Sequence, residues 1–283
     1  LKGQAQIQDI KSFKNDMASI RTVSLYGPGA SYSTHCSFYY FNVFEELDEP
    51  GEWYMDRNTG MLYIYPLTEL SGNDIDIATS DENLITFESN THDVVINGIN
   101  VKNGKGNGIV VQGYNNVIQN CDFSDLGASG VRIANSTACG VTCSTLVRTN
   151  GVTVASNIGS QSPVNFEGDL RPTRNFVQNC YSVGGSISVN RGCGDVVSHN
   201  TVINTNSAFG INQALDCIFE YNEAAGVPLT TTDTGVIYVN GSVDCVGNHV
   251  RYNFFHDSNK YRQDPFGIYF DDMTSGCYAY GNI

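Results

Sequence analysis

A short apolar run closed by asparagine returns along this chain at near-regular spacing, and that recurrence restricts its folding more than any other feature. It reads Val94-Val95-Ile96-Asn97, Val117-Ile118-Gln119-Asn120, Phe176-Val177-Gln178-Asn179, Val197-Ser198-His199-Asn200, Phe219-Glu220-Tyr221-Asn222 and Arg251-Tyr252-Asn253. Asn282 closes the series, and Cys143 holds the corresponding place between Asn120 and Asn179. Four of the seven intervals between these marks are 21 to 23 residues, a period that belongs to stacked repeat architectures.

A second register runs alongside: a small residue, then apolar, any, apolar. It appears as Gly108-Ile109-Val110-Val111, Gly130-Val131-Arg132-Ile133, Gly151-Val152-Thr153-Val154, Ser186-Ile187-Ser188-Val189, Gly210-Ile211-Asn212-Gln213, Gly235-Val236-Ile237-Tyr238 and Gly267-Ile268-Tyr269-Phe270. Alternation of period two marks half-buried strands, and the Gly, Asn, Asp and Ser between them mark turns. No amphipathic helix is visible after residue 80. Two or three short strands per coil without a helix specify an all-β fold, a parallel β-helix with coils about 4.8 Å apart; strand-crossover chirality favours the right-handed form. The 30 asparagines, poor formers of helix and ordinary strand, then have a place. They are expected at corners, where they tolerate left-handed backbone angles and bond to the asparagine above and below.

Residues 81–283 are assigned to this β-helix and residues 1–80 to an N-terminal capping segment. The latter is aromatic-rich, and Trp53-Tyr54-Met55-Asp56 and Leu62-Tyr63-Ile64-Tyr65 around Asn58-Thr59-Gly60 read as a hairpin. Both segments are expected to be incomplete. Nine cysteines leave at least one unpaired, and no C-x-x-C motif is present for zinc or redox chemistry. Cys121 and Cys180 follow marked asparagines while Cys217 and Cys277 precede them by five residues, a regularity that favours small buried core residues over disulfides.

A formal charge of −14 disfavours nucleic acid and anionic membranes. No apolar run is long enough for a membrane span, and residues 1–25 contain no signal-peptide core. The sequons Asn135-Ser136-Thr137 and Asn240-Gly241-Ser242 matter only in a secreted protein.

The run Phe44-Glu45-Glu46-Leu47-Asp48-Glu49-Pro50-Gly51-Glu52-Trp53-Tyr54-Met55-Asp56, then Gly60-Met61-Leu62-Tyr63 and the coils, resembles large right-handed β-helix proteins of the pectate-lyase-like superfold. Within that group it looks most like the glycoside hydrolases that include β-helix α-L-fucosidases and β-xylosidases. Asp233-Thr234-Gly235-Val236-Ile237-Tyr238 strengthens the match, as does Asn248-His249-Val250-Arg251-Tyr252-Asn253-Phe254-Phe255-His256-Asp257 leading to Gly267-Ile268-Tyr269-Phe270-Asp271-Asp272. The resemblance covers most of residues 38 to 283. It implies a carbohydrate-active protein, an oligo- or polysaccharide partner, export from the cell, and Asp233 with Asp271 or Asp272 as the carboxylate pair. In the relatives Asp233 is usually followed by two small residues, and an Arg tends to follow the Tyr; Thr234 and Val239-Asn240 stand here instead.

Glycoside hydrolysis needs two carboxyl groups about 5 Å apart for retention or roughly 6.5–9.5 Å for inversion, and stacked coils offer such spacings. Counting from the small residue, the first and third positions face in and the second and fourth face out. Tyr269 and Asp271 then point outward beside Ile237 and Val239, on one face with Asn212, Ser188, Asn190 and Arg132. Tyr269, Asn212, Asn190, Arg132 and Tyr238 are the candidate saccharide contacts. Asp233 and Asp271 lie out of step by roughly 20 Å in a straight sheet, so a corner or bulge must join them. His256-Asp257 offers an acid or base, and Glu167, Asp169 and the segment with Lys260, Arg262 and Asp264 lie in insertions. Two alternatives stand beside the hydrolase. One is a non-enzymatic carbohydrate-binding module or adhesin. The other is a polysaccharide lyase, for which the acidic excess suits Ca²⁺ but 15 basic against 29 acidic residues makes a basic groove hard to assemble. No other cofactor is implied.

Overall fold

The computed structural model describes residues 10–14, 17–20, 40–70, 75–156, 172–228, 234–240, 245–258, 266–271 and 273–283, the first two stretches as backbone alone. The chain divides into two compact units at Ile77/Ala78. In the first, Ile10–Lys14 pairs antiparallel with Met17–Ile20, and Trp53–Asp56 with Met61–Ile64. The second of these is the hairpin that the Asn58-Thr59-Gly60 turn specifies. Asp56 closes that turn by accepting bonds from the Asn58 amide at 2.9 Å and the Thr59 hydroxyl at 2.7 Å.

The second unit consists of three parallel sheets. The first contains Ile85–Thr86, Ile109–Tyr114, Val131–Thr137, Gly151–Ala155, Ser186–Asn190, Phe209–Asn212, Gly235–Asn240 and Phe266–Phe270. The second contains Val95–Asn97, Val117–Gln119, Gly140–Thr142, Phe176–Gln178, Val196–Ser198, Ile218–Glu220, His249–Arg251 and Tyr278–Tyr280. The third contains Asn100–Gly104, Asp122–Leu126, Thr145–Val147, Tyr181–Val183, Thr201–Ile203, Glu223–Ala225 and Phe254–His256. The chain visits the sheets in turn, so each strand pairs with the one three elements later. This is an all-β arrangement consistent with a β-solenoid. Alternation sends Val131, Ile133, Ile187, Val189, Phe219 and Val250 into a common core, all 1% exposed or less; each such side chain contributes about 1.5–3 kcal/mol when fully buried.

The corner between the second and third sheets explains the asparagine period and corrects its register by one residue. The spacing puts Asn179 above Asn200, but the pairing of Gln178 with Ser198 sets Asn179 against His199 and Cys180 against Asn200. Two columns are present where one was expected. The outer one has positive φ throughout: Gly98, Asn120, Cys143, Asn179, His199, Tyr221, Tyr252 and Gly281. The buried one follows it by one residue and bears the amide ladder. Oδ1 of Asn200, Asn222, Asn253 and Asn282 accepts the main-chain N–H of Cys180, Asn200, Asn222 and Asn253 respectively, at 2.9–3.0 Å. Nδ2 of Asn200, Asn222 and Asn253 also donates to Oδ1 of the next asparagine, at 2.9–3.0 Å. The marks slipped because Asn179 serves in the outer column whereas Asn200, Asn222, Asn253 and Asn282 serve in the inner one.

His199, Tyr221 and Tyr252 take left-handed angles that cost about 1–2 kcal/mol each for an L-residue. Their rings stack at 5.1 and 5.4 Å, which offsets about 0.5–1.5 kcal/mol per pair. Stacked on one another, the rings turn their edges rather than their faces to solvent, so the column is structural.

Cysteine usage follows the same plan. Cys121, Cys139, Cys180, Cys217 and Cys245 are buried free thiols, Cys277 is half-buried and Cys143 exposed, also free, and Cys193 is buried. Burial pushes the Cys180 thiol up to about 12 and Cys217 well above its ordinary value, so neither is poised as a nucleophile at neutral pH.

The corrected register separates two substitutions in urea denaturation. Asn222→Ala removes bonds to Asn200, Val197 and Asn253 and is expected to cost about 2–4 kcal/mol. Asn179→Gly, at φ 54°, is expected to lie within about 0.5 kcal/mol of the parent because glycine meets no penalty there. Equal losses at both positions would contradict the two-column corner.

Candidate functional site

Two outward columns cross the first sheet. Strand pairing aligns Val110, Arg132, Thr153, Ser188, Gly210, Tyr238 and Tyr269 in one. Two residues further along each strand, Ala134, Ala155, Asn190, Asn212 and Asn240 form the other, and the same register brings Asp271 opposite Asn240. Nδ2 of Asn212 donates to Oδ1 of Asn190 at 2.7 Å, so part of the second column is an exposed amide ladder.

Between these columns and the turn that follows lies a cleft of about 380 Å³, lined by Arg132, Ala134, Asn135, Ala155, Ser156, Asn190, Arg191, Asn212 and Gln213. Three candidate contacts, Arg132, Asn190 and Asn212, meet there. Asn135, Arg191 and Gln213, which sequence reading passed over, complete the rim and have positive φ. Their signal was available: Asn190-Arg191 and Asn212-Gln213 place a polar pair at the same point of successive coils. Nε of Arg191 donates to Oε1 of Gln213 at 3.0 Å.

Tyr238 and Tyr269 stand two and three coils beyond Ser188, edge to face at 5.4 Å. Counting from Gly235 turns Ile237 and Val239 outward; the structure reverses this. Ile237 and Val239 are fully buried, and Tyr238 faces out. The correction is physical, because the apolar pair decides which face is inside whereas a glycine fits either position. Tyr269 and Asp271 do share the outer side, and the Tyr238 hydroxyl donates to Oδ2 of Asp271. Gly210, between Ser188 and Tyr238 in its column, leaves that place without a side chain.

The other candidates do not join this group. Asp233, Asp272, Glu167, Asp169, Lys260, Arg262 and Asp264 lie outside the described residues. His256 is on the third sheet, not the first. There Nδ1 lies 2.8 Å from Oδ2 of Asp257 and Nε2 lies 3.0 Å from Oε1 of Glu223. The hydrogen bonds to Asp257 and then Glu223 raise its pKa, and through Glu223 the ring links two coils. Among the described residues no group of three or more His, Cys, Asp or Glu side chains is placed to hold a metal ion, and no helix is long and apolar enough to cross a membrane.

The described carboxylate with the most altered environment lies inside the fold. At the corner between the first and second sheets Oδ1 of Asn116, Asn175 and Asn248 accepts the N–H of Val94, Cys139 and Cys217, while Nδ2 donates to main-chain carbonyls. Asp195 occupies the same column. Its Oδ1 accepts from the Asn175 N–H and the Thr173 hydroxyl at 2.7 and 2.5 Å. Oδ2 is buried without a donor among the described residues, in space that a Cβ at Gly192 would invade at 2.0 Å. Burial raises its pKa to about 6.

No family profile, no curated protein and no solved structure matches this chain.

Because its folded pKa lies above the unfolded value, Asp195 stabilises the fold fully below about pH 4, and that contribution is lost as pH rises through about 6. Asp195→Asn supplies the amide that the other positions of the column use. It is expected to raise stability at pH 8 by about 2–3 kcal/mol and to flatten the change between pH 4 and 8, read from urea midpoints across that range. A variant less stable than the parent at pH 8 would contradict this account.

Proposed function

We propose that the unit from Ala78 to Ile283 is a right-handed parallel β-helix and that the chain is a carbohydrate-active protein whose saccharide surface is the outer face of the first sheet. The handedness rests on the chirality of parallel crossovers. The function rests on one observation: a concave strip of guanidinium and amide groups, Arg132, Asn190 and Asn212, continues along one sheet towards the tyrosines 238 and 269. Sugars offer hydroxyls to such donors and acceptors and C–H faces to aromatic rings. Rigid strands hold these groups at fixed pitch, so binding orders few side chains and the entropic cost stays small.

Binding is the primary reading because no carboxylate is among the described residues that line the cleft. The second reading, glycoside hydrolysis, is favoured by Asp271, which is outward on this same face and held by the Tyr238 hydroxyl. Hydrolysis requires a second carboxyl group at one of two separations; Asp233 and Asp272 are the candidates for it.

Glycan-array binding followed by calorimetry tests the surface. Asn212→Ala and Tyr269→Ala are each expected to weaken saccharide affinity about five- to fiftyfold without changing the thermal midpoint by more than a few degrees. Turnover of aryl fucosides or xylosides, abolished by Asp271→Asn, would establish the hydrolase; binding without turnover supports the module. Unsaturated products formed only with Ca²⁺ would point to the lyase.

A further inference from the structure

The corner columns keep their cysteines apart. Between the second and third sheets Ser144 separates Cys121 from Cys180, and between the first and second sheets Asn175 and Asp195 separate Cys139 from Cys217. Each of these four thiols donates to the main-chain carbonyl two residues before it, that of Gln119, Gln178, Thr137 and Leu215 respectively, at 3.1–3.6 Å. Such thiols are satisfied within their own strand.

Cys277 breaks the pattern. It follows Asn248 in the column between the first and second sheets, but its thiol donates one coil back, to the carbonyl of Cys245 at 3.0 Å. Nδ2 of Asn248 donates to both sulfurs, Cys245 at 3.5 Å and Cys277 at 3.6 Å, and the two thiols hydrogen-bond to each other. From Cys245 to Cys277 the chain makes one complete coil, through His249–Arg251, Phe254–His256 and Phe266–Phe270 and back to the same corner. Coils lie about 4.8 Å apart, within the Cα separation that a disulfide spans.

We propose that Cys245 and Cys277 are a redox pair, closing into a disulfide that makes a covalent ring of the coil bearing Tyr269 and Asp271 and stabilises it. The oxidant is a small-molecule disulfide such as oxidised glutathione. Cys277 is the half-buried member. Hydrogen bonds from the Cys245 thiol and then the Asn248 amide favour its thiolate and lower its pKa, so Cys277 is the attacking sulfur. Its electron pair displaces one thiolate from the oxidant and leaves a mixed disulfide on Cys277. Cys245 then gives its proton to the released thiolate and attacks Sγ of Cys277, expelling the second half of the oxidant as thiolate. One thiol and one thiolate of the protein are oxidised, and the small disulfide is reduced to the same pair. The ring restricts the unfolded chain, which is how such a bridge stabilises the fold.

The test oxidises the folded 283-residue chain with glutathione disulfide, alkylates the remaining thiols under denaturing conditions and maps the peptides by mass spectrometry. A peptide pair joined through Cys245 and Cys277 is expected, with a thermal midpoint about 5–10 °C above that of the reduced chain; dithiothreitol should reverse both. Cys245→Ser should stop the reaction at the mixed disulfide on Cys277, whereas Cys277→Ser should leave Cys245 unmodified. The map of the parent chain decides the matter even where a variant folds poorly. A map in which Cys277 stays free, carries glutathione alone or pairs with another cysteine overturns the proposal, as do equal midpoints for the bridged and reduced chains. The saccharide reading of the first sheet is untouched by either result.

Discussion

The fold depends on hydrogen bonds made from coil to coil, and most critically on those at the two asparagine corners. Strand pairing alone fixes neighbouring coils only weakly, since most strands of the second and third sheets are three residues long. A shift of one residue in such a strand would exchange its inner and outer faces. The corner amides prevent this. Asn200, Asn222, Asn253 and Asn282 each contact the preceding coil through a main-chain N–H, and the first three of these asparagines are buried. Buried polar groups are costly when unpaired, so a slipped coil would lose several bonds in a place that water cannot repair.

That same requirement shapes the outer face of the first sheet. With the corner held, residues such as Arg132, Ser188 and Asn212 stand in columns whose pitch is set by the sheet, and no loop has to be ordered to place them. The site is therefore assembled from residues far apart in sequence and contributed one or two per coil. Two arginines and four polar amides gather in a cleft of a strongly acidic chain, which the overall balance of acidic and basic residues concealed.

Much of the architecture was legible from the sequence because periodicity reports which face of a strand is buried. The parallel strands, the hairpin at Asn58-Thr59-Gly60 and the outward setting of Arg132, Asn190, Asn212, Tyr269 and Asp271 follow from it. The register was less legible. Asparagine suits both the left-handed outer column and the buried ladder, so Asn179 and Asn200 looked equivalent although they differ by one place. Glycine was a poor marker for a similar reason, and counting from Gly235 inverted Ile237, Tyr238 and Val239. The cleft was legible only in part: Arg191 and Gln213 face it through turn conformations that the alternation of strands does not encode. His256 and Asp271, close in sequence, belong to different sheets, a separation that only the three-sheet course of the chain reveals.

The amide ladder has a direction, since each Oδ1 reaches back to the coil already in place. Successive coils can therefore differ in length, from 21 residues between Val131 and Val152 to 35 between Val152 and Ile187, while the anchoring contact stays the same. Growth by insertion is absorbed away from the anchor. A scaffold of this kind can lengthen or shorten the segments bordering its sheets over evolutionary time without relearning how to close, so recognition can diversify while the framework is inherited unchanged.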